Sequence, residues 1–166
     1  MHQRVKDYIE KIKEKFSKNF ENCICLDVGS ADINWNFRYL FTNCHLIGID
    51  IHEYKNVDIV VNVNDYTPWI LFDTIFSVEM LEHDKTRKKS IAKMYSLLKK
   101  WWLLVCTCAN IARREHWTTE FKPHASPATN DYYRNLDGQD VLSILPNAII
   151  SEDSDREDLR FYILKE

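Results

Sequence analysis

Apolar residues at Val5, Tyr8, Ile9, Ile12, Phe16 and Phe20 recur at helical spacing, with Lys and Glu between them, which predicts an amphipathic helix over residues 4–20. The pattern then changes. Residues 23–28 form a continuous apolar run closed by Gly29, as expected of a strand buried on both faces of a parallel sheet. A short helical stretch is predicted around Phe37 to Phe41, and further strands over 45–50, 57–63 and 72–78. Residues 85–98 read as a helix with Ile91, Met94, Tyr95 and Leu98 inward, leading to a fifth strand over 102–108. Alternation of strand and helix predicts βαβ units with right-handed crossovers.

The stretch from Asn110 to Asn130 has two prolines and no clear period, and is long for a simple connection. It is expected to be a lid or substrate loop. A helix is predicted over 132–145, followed by strands over 148–151 and 159–164, an antiparallel pair joined by the acidic turn Glu152-Asp153-Ser154-Asp155. No repeat or linker interrupts the chain, and 166 residues suit one α/β domain spanning 1–166.

Composition narrows the function. The net charge is −3 with both signs interspersed, so no broad basic surface for nucleic acid is expected. The cluster Lys85-Thr86-Arg87-Lys88-Lys89 is expected to be a solvated helix face. The first residues lack the apolar core of a secretory signal, and the longest apolar run, Trp101 to Cys106, is too short to span a membrane. Cys23/Cys25 and Cys106/Cys108 each place two thiols on one face of a strand rather than in a Cys-x-x-Cys turn. Buried reduced thiols and a soluble, cytoplasmic protein are therefore expected. Oligomeric state leaves no trace in the sequence.

The turn Asp27-Val28-Gly29-Ser30-Ala31-Asp32 follows the first strand, where open α/β sheets bind ligands. A pyrophosphate would want several glycines and no flanking carboxylates, so a nicotinamide-dependent oxidoreductase is disfavoured. A cationic ligand suits the loop better. Asp50 ends the second strand about 20 residues later, where a carboxylate can accept hydrogen bonds from ribose hydroxyls.

The succession Leu26-Asp27-Val28-Gly29-Ser30, Ile47-Gly48-Ile49-Asp50 and Phe72 to His83, with its Val78-Glu79-Met80-Leu81-Glu82-His83, resembles the motifs of class I S-adenosylmethionine (SAM) dependent methyltransferases acting on small molecules. The resemblance spans nearly the whole chain. It implies a Rossmann-like, doubly wound, mostly parallel seven-stranded sheet with an antiparallel C-terminal strand. It also implies SAM as cofactor and a small-molecule or sugar-like acceptor. Asp27, Gly29, Ser30 and Ala31 would surround the methionine moiety, with Asp50 and Ile51 at ribose and adenine. Asn64 and Asp65 would lie near the adenine amino group, and Ser77, Val78 and Glu79 along the cofactor's flank.

Much of the acceleration of such a transfer can come from positioning and desolvation, and a base is needed only if the acceptor must lose a proton. His83, His116, His124 and Tyr133 are the candidates, with His116 preferred for its place in the lid beside Arg113, Arg114 and Glu115. The spacing of the three histidines fits no recognised ligand pattern, so no metal is expected.

One departure stands out. The family pattern usually has glycine at positions corresponding to Trp35, Trp101, Trp102 and Trp117, and the chain has only three glycines in all. If the turn at Lys100-Trp101-Trp102 needs positive φ, a bulky residue there costs on the order of 1–2 kcal/mol. Trp35 could fill space used by the methionine end, so the alternative is a binding protein of this fold with impaired catalysis.

Overall fold

The computed structural model describes residues 3–33, 36–121, 123 and 129–166. Its strands are β1 (Ile24–Val28), β2 (His45–Asp50), β3 (Ile59–Val60), β4 (Phe72–Val78), β5 (Leu98–Ala109), β6 (Ile149–Glu152) and β7 (Asp158–Leu164). They form one sheet in the order β3-β2-β1-β4-β5-β7-β6. Strands β1 to β5 run parallel to one another, whereas β7 is antiparallel to both β5 and β6. The order reverses between β1 and β4, which opens the crevice at their carboxyl ends.

Alternate residues of each central strand feed two cores. Cys25, Phe76, Leu103 and Val105 pack under helix α1 (Gln3–Lys15), which presents Val5, Tyr8, Ile9 and Ile12. Leu26, Ile75, Leu104 and Phe161 face the other way, against Ile91 and Met94 of α2 (Arg87–Leu97) and Val141 of α3 (Gly138–Leu142). The chain carries continuous apolar runs because both faces are covered.

Several boundaries differ from the sequence reading. The first helix stops at Lys15 and a 3-10 turn carries Ser17–Phe20. The helix expected over 132–145 shrinks to α3, because Leu136 is held extended by its N–H bond to the Ala109 carbonyl. Helix α3 starts instead where the Asp137 side chain accepts from the Asp140 N–H at 2.8 Å. Only Ile59 and Val60 of the expected third strand pair in the ladder.

Strand β5 begins four residues before its expected start and absorbs the turn at Lys100-Trp101-Trp102 as an irregularity, its register against β4 jumping from Phe72↔Leu98 to Thr74↔Leu103. Trp101 there has φ 68°, as the glycine comparison anticipated, whereas Trp102 keeps negative φ. Among the described residues no helix is long and apolar enough to cross a membrane.

Candidate cofactor and acceptor site

A cavity of about 760 Å³ opens at the carboxyl ends of β1, β2 and β4, within the roughly 300–1,000 Å³ range of small-molecule sites. Its first wall is the turn after β1. Gly29 has φ 80°, and a Cβ there would stand 2.6 Å from the Cβ and Cγ of Met80, so both conformation and packing demand glycine. The N–H groups of Gly29 and Ser30 bond the Ile49 carbonyl, tying this turn to the end of β2.

Two carboxylates stand on either side of the turn. Burial pushes the Asp27 carboxyl up to about 7, the guanidinium of Arg38 pulling the other way. Arg38 Nε lies 3.5 Å from Asp27 Oδ2, and its Nη2 donates to the Asn56 carbonyl at 2.6 Å. Space for that guanidinium exists because Gly48 lacks a Cβ, which would fall 2.1 Å from Nη2. Asp50, also raised by burial, accepts from the Ala31 N–H at 3.3 Å and the His52 N–H at 3.3 Å. Arg38 went unnoticed in the sequence, where it reads as one polar residue of a short turn.

The structure brings Asp27, Gly29, Ser30, Ala31, Asp50, Ile51, Val78, Glu79 and His116 to the cavity wall. It does not bring Asn64, Asp65 or Ser77 there. Asn64 Nδ2 donates to Asn62 Oδ1, Thr86 Oγ1 and Ser90 Oγ, pinning the β3–β4 connection to the start of α2. The Asp65 N–H bonds the Asn62 carbonyl, and Asn62 and Val63 line the cavity in their stead. Ser77 is fully buried inside β4. Trp35 and His124 lie outside the described residues.

The far wall is aromatic. His83, His116, Trp117 and Tyr132 line it, and the ring of Tyr133 lies edge-on at 4.8 Å from His116 and 5.5 Å from His83. Trp117, with φ 59°, lies nearly parallel to His83 at 6.5 Å. The tryptophan that looked anomalous in the sequence is thus part of the site.

Burial lowers His83 to about 4, so its imidazole is neutral at neutral pH. Next to it Glu82 is fully buried, its pKa held well above the usual carboxylate range first by burial and then by Glu79. Glu79, at φ 56°, accepts from Thr107 Oγ1 at 3.0 Å and pairs with Arg113 at 3.1 Å. Arg113 also pairs with the buried Asp158.

No protein-family model matches the chain, and no curated protein matches it by sequence. Solved structures do match by shape. The N-methyltransferase NodS from Bradyrhizobium japonicum WM9 aligns over 98% of this chain and 97% of its own, with TM-score 0.59 at 13% identity. Magnesium protoporphyrin IX methyltransferase (ChlM) from Synechocystis PCC 6803, solved with bound SAM, aligns over 99% of this chain and 80% of its own, with TM-score 0.65 and 13% identity. The 1,6-didemethyltoxoflavin-N1-methyltransferase of Burkholderia thailandensis, bound to 1,6-didemethyltoxoflavin and S-adenosylhomocysteine, covers 89% of this chain and 72% of its own at TM-score 0.62 and 11% identity. The chain has the fold of the class I SAM-dependent methyltransferases.

Proposed function

We propose that the chain transfers the methyl group of SAM to a small-molecule or sugar-like acceptor held against the wall that Arg113 to Trp117 line. The observation that carries this reading is the pair of carboxylates, buried Asp27 and half-buried Asp50, set about the obligatory Gly29 at the switch point of the sheet. When bound, SAM supplies an electrophilic methyl on a sulfonium. Asp50 would accept hydrogen bonds from the ribose hydroxyls, with Ile51 against the adenine, and Asp27 would face the ammonium of the methionine end. The aromatic wall of Trp117, His83 and Tyr132 orients the acceptor, and His116 takes any proton the acceptor must lose. Five free thiols accord with a reducing, cytoplasmic setting.

The test is calorimetric titration with S-adenosylhomocysteine, which carries the same ammonium, ribose and adenine. Saturable micromolar binding is expected, weakened at least about tenfold in Asp50→Ala, the loss of a hydrogen bond to a charged group. Enhanced NADH fluorescence without competition from S-adenosylhomocysteine would overturn the reading.

The left-handed Trp101 and Trp117 support a second reading, in which the fold persists while catalysis is weakened. Trp35→Gly separates the two. A gain in cofactor affinity on that reversion would mark the tryptophan as an obstruction.

A further inference from the structure

One group of polar atoms at the acceptor end of the cavity carries more than the positioning of an acceptor. Glu82 and His83 are adjacent on the 3-10 turn Leu81–His83, and His116 approaches from the loop after β5. One ligand atom from each of the three lies within 4.8 Å of the other two. His116 Nε2 stands 4.0 Å from Glu82 Oε1.

Both imidazoles are clamped in the same sense. Nδ1 of His83 lies 2.9 Å from the Tyr132 carbonyl oxygen, and Nδ1 of His116 lies 3.0 Å from that of Arg114. A carbonyl can only accept, so each Nδ1 carries a proton and Nε2 is the nitrogen through which each ring would bind a ligand. A backbone carbonyl holding the distal nitrogen is the arrangement that orients metal-bound histidines. Glu82 is fully buried, close to the N–H groups of Glu82 and Ala109, yet neither of its carboxylate oxygens has a hydrogen-bond partner. His83 Nε2 is buried and unpartnered too. Buried polar atoms are ordinarily satisfied, and these converge on one point.

We propose that Glu82, His83 and His116 form a binding site for a divalent first-row transition ion at the acceptor end of the cavity. Two imidazole nitrogens and one carboxylate are the donor set of open zinc and non-haem iron centres, whereas magnesium and calcium favour oxygen ligands. Tetrahedral ligands about 2.0–2.1 Å from zinc stand roughly 3.4 Å apart, so the three must draw together by about an ångström. His116 is on a loop and supplies that movement.

The sequence spacing concealed the site because a turn after β4 and a loop after β5 meet only in the fold. Cys23, Cys25 and Cys44 form a second close cluster. There Cys23 donates to the Asn19 carbonyl, and Cys44 reaches those of Phe20 and Thr42. Those thiols are already bonded, so we assign the ion to the histidine site. Because both imidazoles line the cavity, the ion's open positions face an acceptor. On the methyl-transfer reading it would hold an acceptor oxygen or nitrogen and ease loss of its proton, with His116 serving as a ligand in place of the base.

The test needs neither SAM nor activity. The chelator-stripped chain is titrated with Zn²⁺ by calorimetry, and with Co²⁺ by visible absorption, after circular dichroism has shown that each variant is folded. One ion per chain is expected. Glu82→Gln and His116→Ala should each weaken binding by at least about 100-fold, beyond the 10–100-fold loss typical of an outer-shell partner. Cys44→Ser should leave affinity unchanged. Absence of stoichiometric binding, full binding in His116→Ala or Glu82→Gln, or loss of binding in Cys44→Ser would overturn the site. A failure to bind S-adenosylhomocysteine would bear on the cofactor reading alone.

Discussion

Trp101 and Trp117 share a left-handed backbone but differ in surroundings. Trp101 is 73% exposed, so its side chain gains little from packing while its Cβ meets the full steric penalty of φ 68°. Trp101→Gly should therefore raise stability by about 1 kcal/mol, read as a higher denaturation midpoint in urea at unchanged slope. Trp117 packs against two histidines on the cavity wall, where the same exchange would also remove part of the site.

Asp27 supplies a pH dependence. Its folded value of about 7 lies above its ordinary 3.8, so the folded chain keeps a proton that the unfolded chain releases between those values. Its contribution to stability is fully present below about pH 4 and is lost as pH rises through about 7. Arg38, Asp50 and Asp58 are the charges around it. Relative to Asp27→Asn, the ligand-free protein should lose thermal stability across that window. Binding of S-adenosylhomocysteine should instead tighten, by up to tenfold per unit below about pH 7, since the carboxylate is the form that pairs with an ammonium.

Gly29 and Asp50 were legible in the sequence because their roles follow from chain position alone, at the ends of two strands. Arg38 was not, since the guanidinium reaches Asp27 only through the gap over Gly48. Nor was Asn64, whose amide is spent on Thr86, just before the distant α2, and on Ser90 within it.

At the scale of elements, a line of charges fastens the sheet's antiparallel half to the site. Thr107 of β5 bonds Glu79, which pairs with Arg113; Arg113 pairs with Asp158 of β7, and Asp158 with Arg160. Arg160 in turn pairs with Asp153 of the β6–β7 turn, which Arg4 of α1 also reaches. Arg113 and Asp158 are buried, so Arg113→Met strands two carboxylates and should destabilise the chain by about 3–5 kcal/mol, measured by chemical denaturation. Arg4→Met, at the exposed end of the line, should leave the midpoint nearly unmoved.

The strands of this half were readable from periodicity. The helix between them was not, because residues 132–136 alternate no differently from a helix face until the bond from Leu136 to Ala109 fixes them extended. Of the stretch expected to be a lid, Arg113 to Trp117 line the cavity, while residues 122 and 124–128 lie outside the described residues.

For the whole molecule, the topology followed from the succession of apolar runs, since right-handed crossovers leave few ways to arrange five parallel strands. What periodicity could not supply was the unequal dressing of the sheet. Helices α2 and α3 pack on one face and α1 on the other. By contrast, among the described residues the connections from β1 to β2, β2 to β3 and β3 to β4 contain no α-helix. The end of the sheet that builds the Gly29 and Asp50 wall of the cavity is therefore the one most thinly insulated from solvent, and its outermost strand is two residues long. Such an edge opens at lower free energy than the core strands. A molecule seated against Gly29 and Asp50 would act as the missing layer there, so that recognition and local ordering become a single event.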